Sequence, residues 1–506
     1  MNVVANTNRI AKNTGYLYLR MILVTVVSLY TSRIVLQTLG FEDFGIYNVV
    51  ASIVVFFSFI NHALKNACTR YLSCDIGAND HESLKRTYSM AINLHLILAF
   101  GAFVLLEIIG TIIINGYLDI DPERLVAANW VFQFSLITFC LSTIQIPFDA
   151  NIIAHEHMDY YAIISIAEAL GKLGVAFLLI VSPIDKLVMY GALMMLIAVL
   201  VFMGYFIYCK VKLTDSHYIR IWDRKIIEDF AVYSGWSLLV NASDVAIISA
   251  RGIFFNVFLG VVANAALGIA NQIYNAIAMF SRNFASAFTP QIFKSYASGD
   301  KEYFYKLIYT TSKISYYLMI LPLLPLLINL PFVLELWLDD YPNLTEKYVS
   351  AMLLFAVLDA IQAPLWNAIY ATGNIKTHQI MMATLKLLVL PLTWLALRLG
   401  DNGVWALLIW SFVNLICAIV RTLYSKTFLH IDLWHYVKDV IGRTMLVTIM
   451  VAPLPFYIVH QYGQGWITLG STTLLTCVLL PIVAYYFGLG SAERQQIQIM
   501  IKSKLK

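Results

Sequence analysis

Apolar residues run along this chain in long, nearly unbroken stretches, and the polar residues gather in the short gaps between them. The runs predict helices near 14–39, 45–69, 87–114, 126–148, 160–182, 187–209, 230–258, 264–290, 307–332, 348–369, 379–399, 404–424, 443–460 and 468–488. Each is about the 20 residues that a helix needs to cross a bilayer. Strands of a transmembrane barrel are excluded, because those alternate with period two over about ten residues.

The pattern also repeats. A shift of 220 residues brings Gly15 onto Gly235, Leu39-Gly40 onto Leu259-Gly260, Thr69 onto Thr289 and Asp80 onto Asp300. At an offset of 217, Gln145-x-Pro147 falls on Gln362-x-Pro364 and Ala154 on Ala371. One register kept over such distances is the mark of a duplicated unit. The expected fold is therefore an all-α integral membrane protein of about 14 transmembrane helices. Two parallel, pseudo-symmetric six-helix lobes are expected, and a C-terminal helix pair is added. The expected boundaries are an N-lobe at 1–209, an inter-lobe linker at 210–229, a C-lobe at 230–424, and a helix pair with tail at 425–506.

Composition agrees: 60% of the 506 residues are hydrophobic, 13% are charged, and mean hydropathy is +0.74. A soluble domain has about a quarter of its residues charged. The polar start up to Asn13 leads into the first span with no small-residue cleavage site, so an uncleaved first helix is expected. The six cysteines stand singly and read as buried thiols.

Charge placement carries more than net charge. With the N-terminus inside, 20 Lys and Arg residues fall in inner segments and three (Arg124, Lys186 and Lys347) in outer ones. Positive loops stay cytoplasmic, so both termini are expected inside. Eleven basic residues remain in or at the edges of spans. Arg70, Arg398 and Arg421 lie near span ends, where snorkelling accounts for them. Lys172, Arg282, Lys313 and Lys386 lie deeper, each at a cost of about 2.5–3.5 kcal/mol at mid-bilayer. Either acids neutralise them, with Glu107, Glu168, Asp244 and Asp359 at hand, or they line a wet cavity that receives an anion. Basic residues outnumber the deep acids.

Helical spacing concentrates this chemistry. In span seven Ser237, Asn241, Asp244 and Arg251 share one stripe, and in span eight Asn264, Asn271, Asn275 and Arg282 share another. Span two offers His62, Lys65, Asn66 and Thr69, and span one Arg20 and Arg33. Hydrogen bonding between helices accounts for a single Asn; a stripe that ends in a deep Arg favours a cavity. The charges are not duplicated, since Arg251 aligns with Thr31, Asp244 with Val24 and Arg282 with His62. In span nine Pro322, Pro325 and Pro331 predict a kink or break.

Two stretches carry a resemblance. Leu39-Gly40-Phe41-Glu42-Asp43-Phe44-Gly45-Ile46-Tyr47-Asn48-Val49-Val50, after Ser32-Arg33, resembles the first outer turn of polysaccharide flippases of the O-antigen or capsule type. Ala154-His155-Glu156-His157-Met158 resembles their inner loop after span four. The resemblance implies the multidrug/oligosaccharidyl-lipid/polysaccharide exporter superfamily, whose two six-helix lobes surround a central cavity and alternate between inward and outward openings. The implied cargo is a lipid-linked oligosaccharide on a polyprenyl pyrophosphate, moved from the inner to the outer leaflet of the bacterial inner membrane. The implied partners are membrane lipids and glycan polymerase or assembly proteins. Pyrophosphate and sugar are expected to meet Arg33, Lys65, Arg251, Arg282, Lys313, Asn241, Asn271 and Asn275. Asp244, Asp359 and Glu168 are the candidates for ion coupling.

Other classes find less support. No GxxxxGK[ST] loop is present, no cofactor is implied, and His155 with His157 is a weak metal signal. Inner basic loops are accounted for by topology and anionic lipid, which leaves no case for nucleic acid. The alternatives kept are a multidrug cation antiporter of the same superfamily, which would want an acidic cavity, and a membrane glycan polymerase or ligase. The latter needs a substantial outer loop, and 333–347, with Glu335, Asp339, Asp340 and Glu346, is short.

Overall fold

The computed structural model describes residues 3–55, 58–116, 120–183, 185–338, 341–400, 402–491 and 493–495. Helices α1 Val3–Val55, α2 Ser58–Ala78, α3 His81–Gly116, α4 Leu125–Ala154, α5 Met158–Ile180 and α6 Lys186–Lys212 make the first half. The second half holds α7 Arg224–Ala297, α8 Lys301–Ile328, α9 Leu330–Leu338, α10 Thr345–Ala371, α11 Lys376–Leu387, α12 Val389–Arg398 and α13 Val404–Leu429. The C-terminal pair comprises α14 Leu433–His435, a π-helical stretch Tyr436–Gly442, α15 Arg443–Val451, α16 Pro453–Tyr462, α17 Trp466–Val483 and a second π-helical stretch Ala484–Gly488.

Among the described residues, twelve helical segments are long and apolar enough to cross a membrane. The two other expected spans, 45–69 and 264–290, are helical wherever described, in α1 and α2 and in the second limb of α7.

The repeat is visible in the backbone. Both α1 and α7 are broken at a matched glycine, Gly40 (φ 79, ψ 172) and Gly260 (φ 82, ψ −178). A Cβ at either position would meet nothing within 4 Å, so the torsion alone requires glycine. Asp80 and Asp300 cap α3 and α8, accepting from the N–H of Ser83 at 2.9 Å and of Tyr303 at 3.1 Å. Ala154 and Ala371 are the last residues of α4 and α10, each with its proline inside.

Two further equivalences escape residue identity. Asn79 (φ 58) aligns with Gly299 (φ 74), and Glu156 (φ 65) with Gly373 (φ 78). Their N–H groups bond to equivalent carbonyls, Ile76 and Tyr296 in the first case, Ile153 and Tyr370 in the second. Left-handed backbone costs a residue with a Cβ about 1–2 kcal/mol, so Glu156 holds a place that its counterpart fills without strain.

Proline punctuates the second half. After Pro322 and Pro325, α8 stops at Asn329, whose buried side-chain amide donates to the Pro325 carbonyl at 2.9 Å and to Thr472 Oγ1 at 3.0 Å. The segment that was expected to be an outer loop from 333 is instead helical through Leu338, in α9; Asp339 and Asp340 lie outside the described residues.

The chain packs as two compact units, Ala11–Leu238 and Met1–Ile10 with Leu239–Lys506. In the first, the Phe132 ring of α4 lies so close to Gly110 of α3 that a Cβ there would sit 2.1 Å from it. Leu106, Val131 and Leu136 complete that contact. The first turns of α7 belong to this unit because Tyr71 stacks on Phe230 at 4.6 Å and donates to the Asp229 carbonyl at 3.1 Å. In the second unit Val240 and Ile247 pack with Met382, Val413 and Cys417. Large apolar side chains such as Phe100, Val181, Val257, Phe412 and Leu474 are left exposed, as a lipid-facing periphery requires.

Candidate functional site

Among the described residues, each unit holds a cluster of span charges in which arginine and lysine predominate. In the N-terminal unit, Lys65 of α2 donates to Asp149 Oδ2 of α4 at 2.6 Å. The same ammonium lies 5.3 Å from the Tyr161 ring centroid of α5, and the Arg20 guanidinium of α1 lies 4.8 Å from that ring. Two cations therefore lie against one aromatic ring, and one of them is paired with a carboxylate. Arg20 Nε and Asp149 Oδ1 are buried and bond to no other group. Arg20 and Asp149 were not singled out as site residues from sequence; depth in the span was the only signal for Arg20.

The other candidates of this unit stand elsewhere. Arg33 is exposed on α1, 13 residues on and so about 20 Å along the helix from Arg20. Glu168 is joined to Lys172 one turn later at 2.6 Å, both partly exposed. Glu107 accepts from Gln133 Nε2 at 2.9 Å and 3.0 Å.

The C-terminal unit carries the richer cluster. Arg251 is 4% exposed, and its Nη2 donates to Asn271 Oδ1 at 2.9 Å, joining the two limbs of α7. Its guanidinium carbon lies 4.4 Å from the ring centroid of Trp410 in α13. Nε and Nη1 are buried without a partner. Because Nε and Nη1 do not share an edge of the guanidinium plane, each can donate singly to a separate anionic oxygen.

Asp244, two helical turns earlier on the same stripe, is paired with Lys386 of α11 through both oxygens at 2.8 Å and 2.9 Å. Asp359 of α10 lies within electrostatic reach of Lys386, Arg421, Asp244 and Arg282. Arg282 is exposed and donates to the Asn275 carbonyl of its own helix at 3.1 Å. Asn241 is half-buried on the Asp244 stripe; the side chain of Asn264 lies outside the described residues.

Two residues assigned to snorkelling are corrected by their surroundings. Arg421 is 4% exposed, with Nε toward His378 Nε2 at 3.4 Å and Nη1 toward Gln362 Oε1 at 3.5 Å. Arg70 is buried between the rings of Tyr71 and Tyr233, at 4.6 Å and 5.2 Å. Nearness to a span end misled because both helices run on past the apolar stretch and bury those arginines against neighbours. Lys313 is fully buried between Asp439 at 2.9 Å and Glu493 at 2.7 Å, so its charge is met inside the second unit.

Two motifs hold loops in place. Asp43 of the Leu39–Val50 stretch receives Arg124 Nε at 2.9 Å and a second guanidinium nitrogen, and the same guanidinium reaches Asp185. Although burial opposes it, these carboxylate bonds raise the Arg124 pKa above its ordinary value. His155 is held between the Asn151 carbonyl at 2.9 Å and Asp215 at 3.0 Å, and His157 pairs with the Tyr208 hydroxyl at 3.1 Å.

In both clusters the basic groups exceed the acidic ones. Arg20 and Lys65 meet at Tyr161, with Asp149 paired to Lys65; Lys386, Arg421 and Arg282 lie within electrostatic reach of Asp359, Lys386 pairs with Asp244, and Arg251 stands on the Asp244 stripe.

Residues 242–395, which include α7 from the Asp244 stripe onward and α8 to α11, match the MatE family model. No curated protein matches the chain in sequence. Solved structures share the fold. An outward-facing multidrug resistance MATE family transporter of the MOP superfamily is 15% identical, with 84% of this chain and 98% of that one covered at a TM-score of 0.72. A MATE protein in its bent conformation gives 15%, 84%, 97% and 0.73. A MOP superfamily transporter from Pyrococcus furiosus, whose binding pocket is described as having reversed polarity, gives 16%, 84%, 98% and 0.70.

Proposed function

We propose that this protein is a transporter working by alternating access, and that its cargo is an amphipathic anion: a polyprenyl-pyrophosphate-linked oligosaccharide moved from the inner to the outer leaflet of a bacterial inner membrane. The observation that carries this reading is Arg251, a buried guanidinium with two free donors in a cluster where bases exceed acids. Such a guanidinium binds a pyrophosphate more strongly than a neutral group, because charge-assisted hydrogen bonds are about twice as strong as neutral ones. Asn241, Asn271 and Asn275 suit sugar hydroxyls, and Asp244 and Asp359 are the carboxylates placed to exchange a coupling ion. The same reading puts both termini on the cytoplasmic side.

A second reading is supported by the named neighbours, several of which are MATE proteins and one a multidrug resistance transporter. A multidrug cation antiporter would use Asp244 and Asp359 as its binding acids. Against it stands the pairing of Asp244 with Lys386. Among the neighbours of this fold is a MOP superfamily transporter for which a reversed pocket polarity is described as suggesting a different function.

Binding separates the two. Purified protein should take up a fluorescent polyprenyl pyrophosphate, lose it in Arg251→Gln, and ignore a lipophilic cation. Saturable binding of the cation, with none of the pyrophosphate lipid, would reverse the assignment.

A further inference from the structure

The segment that joins α6 to α7 is fastened to the outside of α3 rather than hanging free. The Ile219 N–H donates to Ser89 Oγ at 2.8 Å, and Asn93 Nδ2 donates to the Ile221 carbonyl at 3.0 Å. The Tyr218 hydroxyl donates to Asn93 Oδ1 at 3.0 Å, and the segment's upstream end is pinned by Asn151 on Ser216 at 2.7 Å.

Depth follows from these bonds. Asn93 lies 12 residues into α3, about 18 Å from its start, and about 9 Å beyond residue 87, where the apolar run begins. The segment is thus drawn to the boundary between headgroups and acyl chains. There it opens a cavity of about 620 Å³, lined by Asn93, Leu96 and Ile97 of α3 and by Tyr218, Arg220 and Trp222. Leu96 and Ile97 are exposed, and Phe100 one turn on is 72% exposed, which makes this wall a lipid-facing one. Tyr218 and Trp222 are also exposed, the placement that interfacial aromatics adopt.

Charge selects the occupant. Residues 210–225 hold five basic side chains (Lys210, Lys212, Arg220, Arg224 and Lys225) against Asp215 and Asp223. Asp215 is taken by His155, and Arg224 is taken by Glu228 at 2.7 Å. Arg220 is the basic group that lines the cavity.

We propose that this cavity is a binding site for an anionic phospholipid. The phosphodiester sits on Arg220, the glycerol backbone lies against Tyr218 and Trp222, and the chains run along Leu96, Ile97 and Phe100. The occupant is a resident lipid that ties the α6–α7 segment to the bilayer, distinct from the transported cargo.

Native mass spectrometry of the full-length protein in detergent, titrated with phosphatidylglycerol or phosphatidylcholine, tests this. Wild type should retain one phosphatidylglycerol with roughly tenfold preference over phosphatidylcholine, whose phosphodiester also reaches Arg220 but whose choline cation is repelled by that guanidinium. Arg220→Gln should lose that preference, Arg220→Lys keep most of it, and Arg224→Gln keep all of it. Equal retention of both lipids overturns the proposal. So does equal loss in Arg224→Gln, which would mean a diffuse basic patch, or displacement by glycerol phosphate alone, which would mean a free-phosphate site without lipid chains.

Discussion

Replacing Arg251 by Met should stop transport while leaving the protein at least as stable. Met removes one charged hydrogen bond to Asn271, of about 1.5–3 kcal/mol, and one cation–π contact with Trp410, of about 0.5–2 kcal/mol. It also removes two buried donors without partners, each costing about 1–3 kcal/mol, together with the expense of burying a charge. The terms nearly cancel, and relief of the buried charge tips the balance toward stability. For transport there is no such cancellation. Two charge-assisted bonds to a pyrophosphate, at about 1.5–3 kcal/mol each, correspond to a loss of roughly 10²–10⁴-fold. The assay pairs a thermal melt in detergent with translocation in liposomes. Arg251→Lys, which keeps the charge but not the two separately placed donors, should fall between. Wild-type transport in Arg251→Met would refute the reasoning, and so would a parallel collapse of melting temperature and transport, which would make Arg251 a purely structural residue.

Other outcomes follow from the same contacts. Lys313→Met should destabilise by about 3–5 kcal/mol, because Asp439 and Glu493 lose their shared cation; a melt that does not shift would contradict it. Asp244→Asn and Lys386→Gln should each impair folding or transport, and the double variant should recover abundance; simple additivity would mean that the pair is not coupled. Asp75, beyond the membrane end of α2, has its carboxyl pushed up to about 6, mainly by burial. A folded pKa above the unfolded one means that the fold holds the proton more tightly. Stability should therefore fall as pH rises from about 4 to about 6 and then level off, by about 3 kcal/mol in all. Asp75→Asn should flatten this profile in melts taken between pH 4 and pH 8, and an unchanged profile would count against it.

Much of the fold was legible because apolar run length and the 220-residue register are one-dimensional signals. The matched residues turned out to be punctuation: Gly40 and Gly260 for a torsion, Asp80 and Asp300 for a cap, Pro147 and Pro364 within matched helices. The Asn79–Gly299 and Glu156–Gly373 equivalences were not legible, since shared conformation there is carried by different residues.

The site was harder to read for a related reason. The stripes named Arg251 and Asn271, which the structure joins, yet partners from distant helices decided what each charge does. Lys313 drew Asp439 and Glu493 from the C-terminal pair, Lys386 drew Asp244, and Tyr161 gathered Arg20 with Lys65. No spacing rule within one helix contains that information. Arg33, prominent beside a recognisable motif, stands exposed and away from the Arg20 and Lys65 cluster.

The sign of the cargo's charge is the central claim, and translocation in liposomes measures it most directly. Wild-type protein should move a polyprenyl-pyrophosphate-linked oligosaccharide to the far leaflet, read by accessibility of its sugar to an impermeant glycosidase, and should not accumulate a lipophilic cation under a proton or sodium gradient. Gradient-driven accumulation of the cation, with the lipid-linked sugar left in its original leaflet, would contradict the account.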